Sequence, residues 1–153
     1  MTTRKYIKRE GPWVESIPLI YRHKLPISNV EQYWKGLERG VIYATRCTAC
    51  GSVYYPPQAY CPSCGGQNME WIELPKEGVV ETFTKIYAKP QGYEDFDPYI
   101  VAIVSTGEFK IMGWLKARDE KCVKVGDRVS IRTEKIEKHN KYIIVFELID
   151  KIC

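Results

Sequence analysis

From Gly78 to Ile149 apolar and polar residues alternate with a period of two, the spacing of strands with one buried face. Five runs carry the pattern: Val79–Tyr87, Tyr99–Thr106, Phe109–Lys116, Arg128–Ile136 and Tyr142–Ile149. In the fourth, Val129, Ile131 and Thr133 fall on one face and Arg128, Ser130 and Arg132 on the other. Pro90, Gly92 and Pro98 mark Ala88–Pro98 as a loop. Thr106-Gly107-Glu108 predicts a tight turn, so the second and third runs form a hairpin. Ala117–Val125 is a charged connection, and Gly126-Asp127 and Glu137–Lys141 are turns. Five short strands cannot cover two sheets, so the expectation is a small closed barrel of five antiparallel strands, of OB type.

Upstream the pattern shortens. Val41–Thr45, Val53–Tyr55 and Met69–Leu74 read as three brief strands, the second stopped by Pro56-Pro57. Before them Val30, Tyr33, Trp34 and Leu37 recur at helical spacing. Ser28 and Glu31 have the spacing of a capping box, and Gly40 suits the position just past the helix end. Residues 1–16 read as a polar, basic arm, and Ile17–Pro26 as a half-apolar stretch lying along the domain or across another subunit. The expected organisation is mainly β: residues 1–40 an arm and helical segment, 41–75 a ribbon, 76–153 the barrel.

Chemistry enters with cysteine. Cys47, Cys50, Cys61 and Cys64 read Cys-x-x-Cys, ten residues, Cys-x-x-Cys, and a glycine follows each second cysteine. That glycine permits the positive φ that a metal-binding knuckle requires. Two facing knuckles present four thiolates in the tetrahedral array that Zn²⁺ prefers, and the set is closed to water and substrate, so a structural zinc is expected. Two disulfides or four unligated thiols are the blander alternative. Cys122 and Cys153 stand isolated, with no assigned role.

Charge and composition narrow the picture only a little. The net charge is +4, carried by basic segments flanking an acidic middle: residues 47–115 hold four Lys/Arg against eight acids, whereas 116–141 hold nine against five. Such a pattern favours anionic partners without choosing among them. The N-terminus lacks the apolar core of a signal peptide, and apolar runs such as Tyr142–Phe146 are too short for a membrane span, which points to the cytoplasm. No catalytic set stands out. His23 and His139 lie in polar loops without a nucleophile motif, and Asp95 and Asp97 read as solvated turn residues.

Several motifs now stand in order: Arg46-Cys47-x-x-Cys50-Gly51, Tyr55-Pro56-Pro57, Cys61-Pro62-x-Cys64-Gly65, Gly78-x-Val80-x-Thr82-Phe83-Thr84, Pro98-Tyr99-Ile100-Val101-Ala102 and Gly126-Asp127-x-Val129. This set resembles the acyl-CoA-associated family that joins a rubredoxin-like zinc ribbon to an OB fold, and most resembles its archaeal members. The resemblance implies a non-catalytic subunit that bridges acetoacetyl-CoA thiolase and HMG-CoA synthase and helps hold the CoA of a passing intermediate. For such a ligand the residues offer Phe83, Lys85 and Tyr87 on one strand face, then Lys89, Gly92, Tyr93 and Phe96 in the loop, with Tyr99, Trp114, Lys116 and Arg118 beyond. A groove between ribbon and barrel would use a subset of these, against the ordinary alternative of core aromatics and solvated lysines. Tyr33, Trp34 and Leu37 are the candidates for contact with a partner enzyme, against the ordinary alternative that the helix packs on its own domain. Two rival functions stay open: single-stranded nucleic-acid binding, which zinc ribbons and OB barrels also serve, and an assembly scaffold without ligand contact. The acidic Glu81, Glu94, Asp95, Asp97 and Glu108 argue against a phosphate backbone.

Overall fold

A computed structural model describes residues 26–90 and 92–150. The expectations for the arm, for Ile17–Leu25, and for His23 and Cys153 lie outside the described residues. The first elements among the described residues are a 3₁₀ turn, Ser28–Val30, and a helix, α1 (Glu31–Glu38). Three short strands follow, β1 (Tyr43–Cys47), β2 (Val53–Tyr54) and β3 (Met69–Glu73), and then five longer ones, β4 (Glu77–Ile86), β5 (Tyr99–Ser105), β6 (Lys110–Lys116), β7 (Arg128–Ile136) and β8 (Lys141–Leu148). The first three form a small antiparallel sheet in the order β2-β1-β3, and the last five close a barrel in the order β4-β5-β6-β8-β7. Single 3₁₀ turns, Glu120–Cys122 and Glu137–His139, occupy two of the predicted connections.

The expectation of a wholly antiparallel barrel is corrected. β6 and β8 run parallel, with Trp114 opposite Val145 and Leu115 opposite Phe146. The reason is parity. Strands that alternate up and down around a ring can close only if their number is even, so five strands force one parallel seam. The other four pairs are antiparallel.

The predicted alternation decides what fills the barrel. On β5 Ile100, Ala102 and Val104 point inward and are buried, while Tyr99, Val101 and Ile103 stay partly open on the outer face. Phe146, Ile111, Val80, Val104 and Val129 are among the largest fully buried side chains. Gly113 sits where the parallel strands β6 and β8 press together. A Cβ there would lie 2.7 Å from the carbonyl oxygen of Ile144 and 3.0 Å from both Ile144 Cγ2 and Phe146 Cε2. Backbone cannot retreat as a flexible side chain can, so Gly113→Ala is expected to destabilise by about 1–3 kcal/mol. A urea titration would register this as a lower midpoint with unchanged slope.

The same core continues into the ribbon and helix. Leu37, Ile42, Ala44 and Leu74 belong to one buried cluster with the barrel residues. Thr133 Oγ1 on β7 donates to the Leu37 carbonyl at 2.7 Å, and Ile131 N donates to the Lys76 carbonyl at 2.7 Å. Helix, ribbon and barrel are therefore fixed against one another.

At the helix ends one expectation holds and one fails. Gly40 adopts φ 77°, and the amides of Gly40 and Val41 donate to the carbonyls of Leu37 and Gly36, the bond pair of a Schellman C-cap. The capping box does not form. Ser28 lies inside the 3₁₀ turn, where Val30 N already donates to the Ile27 carbonyl, and no side chain caps α1. Glu31 pairs instead with Lys35 at 3.1 Å, one turn along the helix.

Candidate functional site

The four predicted cysteines meet. β1 delivers Cys47, and each knuckle is held by the same two backbone bonds. Gly51 N donates to the Cys47 carbonyl and Cys47 N to that of Ser52; Gly65 N donates to the Cys61 carbonyl and Cys61 N to that of Gly66. Gly51 and Gly65 take φ of 75° and 72°, the left-handed geometry that calls for glycine. All four sulfurs lie within 4.8 Å of one another, with Cys47–Cys64 at 3.6 Å and Cys50–Cys61 at 3.5 Å. Thiolates ~2.3 Å from a tetrahedral zinc stand about 3.8 Å apart, so the donors and their spacing fit Zn²⁺. When bound, the ion supplies a cross-link between the two knuckles, and a Cys₄ set leaves it no open coordination position.

Neighbours favour the thiolate form at Cys61 and Cys50, whereas at Cys64 the lowering hydrogen bond from the Gly66 backbone is outweighed by those with the other three cysteines, which push the thiol up. Tyr54 Oη lies 3.2 Å from Cys61 Sγ, and this hydrogen bond holds the thiol well below its ordinary value, at about 6. Ser52, whose Oγ is 3.3 Å from Cys50 Sγ, lowers that thiol as well. Neither residue was singled out in the sequence. Nor was Gly66, where a Cβ would stand 3.2 Å from Cys64 Sγ and 3.5 Å from Cys47 Sγ. The Gly65-Gly66 pair was its only signal.

The second feature is a groove of about 650 Å³ enclosed jointly by all three parts of the chain. Tyr33, Trp34 and Leu37 of α1 line one side, Tyr55 and Pro56 of the ribbon close one end, and the outer face of β5 and β6 supplies Tyr99, Val101, Met112 and Trp114. Tyr99 and Trp114 stack at 4.4 Å with 18° between their planes. Tyr93 approaches both rings at 6.2 and 6.3 Å, and Phe96 meets Trp114 edge-on at 5.3 Å. His139 lies beside Tyr93 and Phe96, 6.2 and 6.1 Å away. At the ribbon end burial holds the Tyr55 phenol in its protonated form, with Tyr33 Oη 3.4 Å from its own hydroxyl. A second cleft of about 660 Å³ lies on the far side of the Tyr99–Trp114 stack, with Phe96, Lys116, Lys135 and Lys138 in its wall.

The candidate residues thus divide. Tyr93, Tyr99 and Trp114 come together on the groove wall. Phe83 and Lys85 oppose Ala102 and Ile100, on the inward side of β4, and do not line the groove. Phe83 packs against the core, and Lys85 Nζ stands 5.2 Å over the Tyr87 ring, whose hydroxyl donates to Glu120. Lys89 is a loop staple: its ammonium donates to the carbonyls of Glu94, at 2.6 Å, and Phe96. Lys116 is paired with Glu134 and Glu147, and Arg118 is exposed beyond the end of β6. In the helix, Leu37 is corrected from an outward contact to a core residue, 3% exposed, because it faces the barrel. Trp34 keeps 45% of its surface open, and Tyr33 lies half-buried between it and Tyr55. Met112, 67% exposed on the groove wall, was missed, since in the sequence it is one more alternating strand position.

Two family models match the chain. Residues 34–70 match the ChsH2 rubredoxin-like zinc ribbon domain, and residues 71–134 match the ChsH2 C-terminal OB-fold domain. Among curated proteins, a DUF35 domain-containing scaffold protein of Methanocaldococcus jannaschii is 33% identical over 52% of this chain and 57% of its own length. A scaffold protein of the same description from Pyrococcus furiosus is 28% identical over 73% of this chain and 83% of its own length. A probable enoyl-CoA hydratase alpha subunit of Thermomonospora curvata is 27% identical over 61% of this chain, but that stretch is only 30% of the hydratase subunit. Among solved structures, an Ltp2-ChsH2(DUF35) aldolase superposes with a TM-score of 0.70 at 22% identity, covering 83% of this chain and 98% of that one. A DUF35-family protein of unknown function from Sulfolobus solfataricus superposes at 0.55, again at 22% identity, over 80% of this chain and 86% of that one. The two domain matches adjoin without a gap and take in both the cysteine cluster and most of the barrel, and the chain belongs to the ChsH2-type zinc-ribbon and OB-fold family, DUF35.

Proposed function

We propose that this chain is a non-catalytic scaffold subunit of an acyl-CoA-processing complex. It bridges a thiolase and an HMG-CoA synthase in the cytoplasm and holds part of the CoA of the intermediate passed between them. The zinc is structural and fixes the ribbon that forms one end of the groove. The observation that carries this reading is the groove itself. It exists only where helix, ribbon and barrel meet, and its rim leaves Trp34 and Met112 exposed, large apolar groups of the kind that partner surfaces cover.

The relatives named as scaffold proteins, and those named for aldolase and hydratase assemblies, support the same class. His139, the one histidine among the described residues, sits against aromatic rings rather than beside a nucleophile. Nucleic-acid binding has less support. Lys116, Lys135 and Lys138, which line the cleft beside the aromatic stack, each face a carboxylate, which weakens the field that a phosphate backbone would need. Among the described residues no helix is long and apolar enough to cross a membrane.

The test is co-purification of the tagged full chain from its native host. A thiolase and an HMG-CoA synthase are expected in one sizing peak with it, and Trp34→Asp, which puts a charge on the exposed face of α1, is expected to deplete them. A chain that elutes alone at physiological salt overturns the reading.

A further inference from the structure

The groove also bears on which part of a CoA thioester this chain holds, an inference that rests on the functional reading above. CoA has two chemically different halves. One is a flexible, uncharged arm with two amides, a gem-dimethyl group and the thioester. The other is an adenosine carrying several phosphates. We infer that the groove takes the uncharged arm with its acyl thioester and leaves the phosphates outside, for a partner enzyme to bind.

Among the described residues Lys110 is the only charged one in the groove lining, and its ammonium is paired with Glu81 at 2.9 Å. The other polar side chains there are neutral: the phenols of Tyr33, Tyr55, Tyr93, Tyr99 and Tyr142 and the indoles of Trp34 and Trp114. Phenols and an indole satisfy amide groups by hydrogen bonds while their rings pack on methyl groups. The groove volume of about 650 Å³ falls in the range of roughly 300–1,000 Å³ usual for small-molecule sites. A phosphate placed there would lose its hydration and find no unpaired cation.

The neighbouring cleft does not repair this. Lys135 is 2.8 Å from Glu137, Lys138 contacts Asp95, and Lys116 contacts Glu134 and lies 3.8 Å from Glu147. An incoming phosphate would have to displace carboxylates that then remain beside it. Lys89, spent on two loop carbonyls, is no freer.

The experiment titrates the zinc-loaded full chain with three probes: acetoacetyl-CoA, S-acetoacetylpantetheine and the adenosine bisphosphate fragment of CoA. Tryptophan fluorescence reads binding, because Trp34 and Trp114 both line the groove. The two thioesters are expected to bind within about threefold of each other, a difference under ~0.7 kcal/mol. The adenosine fragment should not compete, and raising salt from ~50 to ~500 mM should shift Kd by less than about twofold, since no phosphate contact is there to screen. Met112→Glu, at an exposed position that folding does not depend on, should weaken both thioesters by about tenfold through a carboxylate in the groove wall. If acetoacetyl-CoA binds while S-acetoacetylpantetheine does not, or if the adenosine fragment competes, the inference falls but CoA holding by this chain survives. Unchanged binding by Met112→Glu overturns the groove as the site. If none of the probes binds, the ligand part of the proposed function falls with it.

Discussion

Replacing Cys61 by serine is expected to remove zinc from the protein and lower its melting temperature by on the order of 10 °C. Cys61 is completely buried and holds two contacts at once, Cys50 Sγ at 3.5 Å and Tyr54 Oη at 3.2 Å. Serine offers a far weaker ligand, and three thiolates do not close a tetrahedron. In small zinc domains the binding free energy is folding free energy, apparently ~10–16 kcal/mol, so losing even a quarter of it costs roughly 3 kcal/mol or more. At about 2–4 °C per kcal/mol for a chain of this size, that gives the stated shift. Metal analysis and a thermal melt check it together, with chelator treatment of the unaltered chain as the parallel arm. Tyr54→Phe is the graded control: it deletes only the hydroxyl that bonds Cys61 Sγ and Ser63 Oγ, and should weaken zinc retention while leaving four sulfurs. A Cys61→Ser protein that keeps a full zinc complement and its melting temperature contradicts the structural role. The effect should reach the groove as well, because the ribbon that the knuckles brace carries Tyr55 and Pro56 to its end wall.

What the sequence makes legible here is mostly local. Period-two alternation places β4 to β8, because a strand with one buried face leaves that signature whatever it pairs with. Gly51 and Gly65 declare their positive φ by position after a cysteine pair. The parallel seam between β6 and β8 was not read, since pairing joins residues about thirty positions apart, although the odd strand count already required it. The capping box failed because Ser28 and Glu31 satisfy a local pattern that a 3₁₀ turn overrode. The pairing of the basic candidates is illegible for a related reason. Composition shows Lys89 and Lys116 as available charge, and only the fold shows their partners: two loop carbonyls for the first, Glu134 and Glu147 for the second. Three of the aromatic candidates, Tyr93, Tyr99 and Trp114, gather on one wall. The missing parts of that wall, Met112 and Tyr142, lie on strands whose outer faces carry no distinguishing pattern in the sequence.

Leu37 and Trp34 belong to one helical stripe, yet they should respond oppositely to truncation, and the contrast tests whether α1 is a wall of the groove or a loose arm. Leu37 is 3% exposed within the shared core, and its carbonyl accepts from Thr133 Oγ1 of β7. Leu37→Ala removes buried methyl groups from a site braced on one side by the barrel, which restricts collapse of the cavity. The expected cost is about 2–5 kcal/mol. Trp34, with 45% of its surface open, should cost the isolated chain under about 1 kcal/mol when truncated, while weakening partner binding by ~2 kcal/mol or more if it is an interface anchor. Denaturant titrations of both variants, paired with sizing of the co-purified complex, separate the two effects. Near-equal stabilities for Leu37→Ala and the unaltered chain would mean that the helix does not hold the barrel, and the groove would lose one of its three sides.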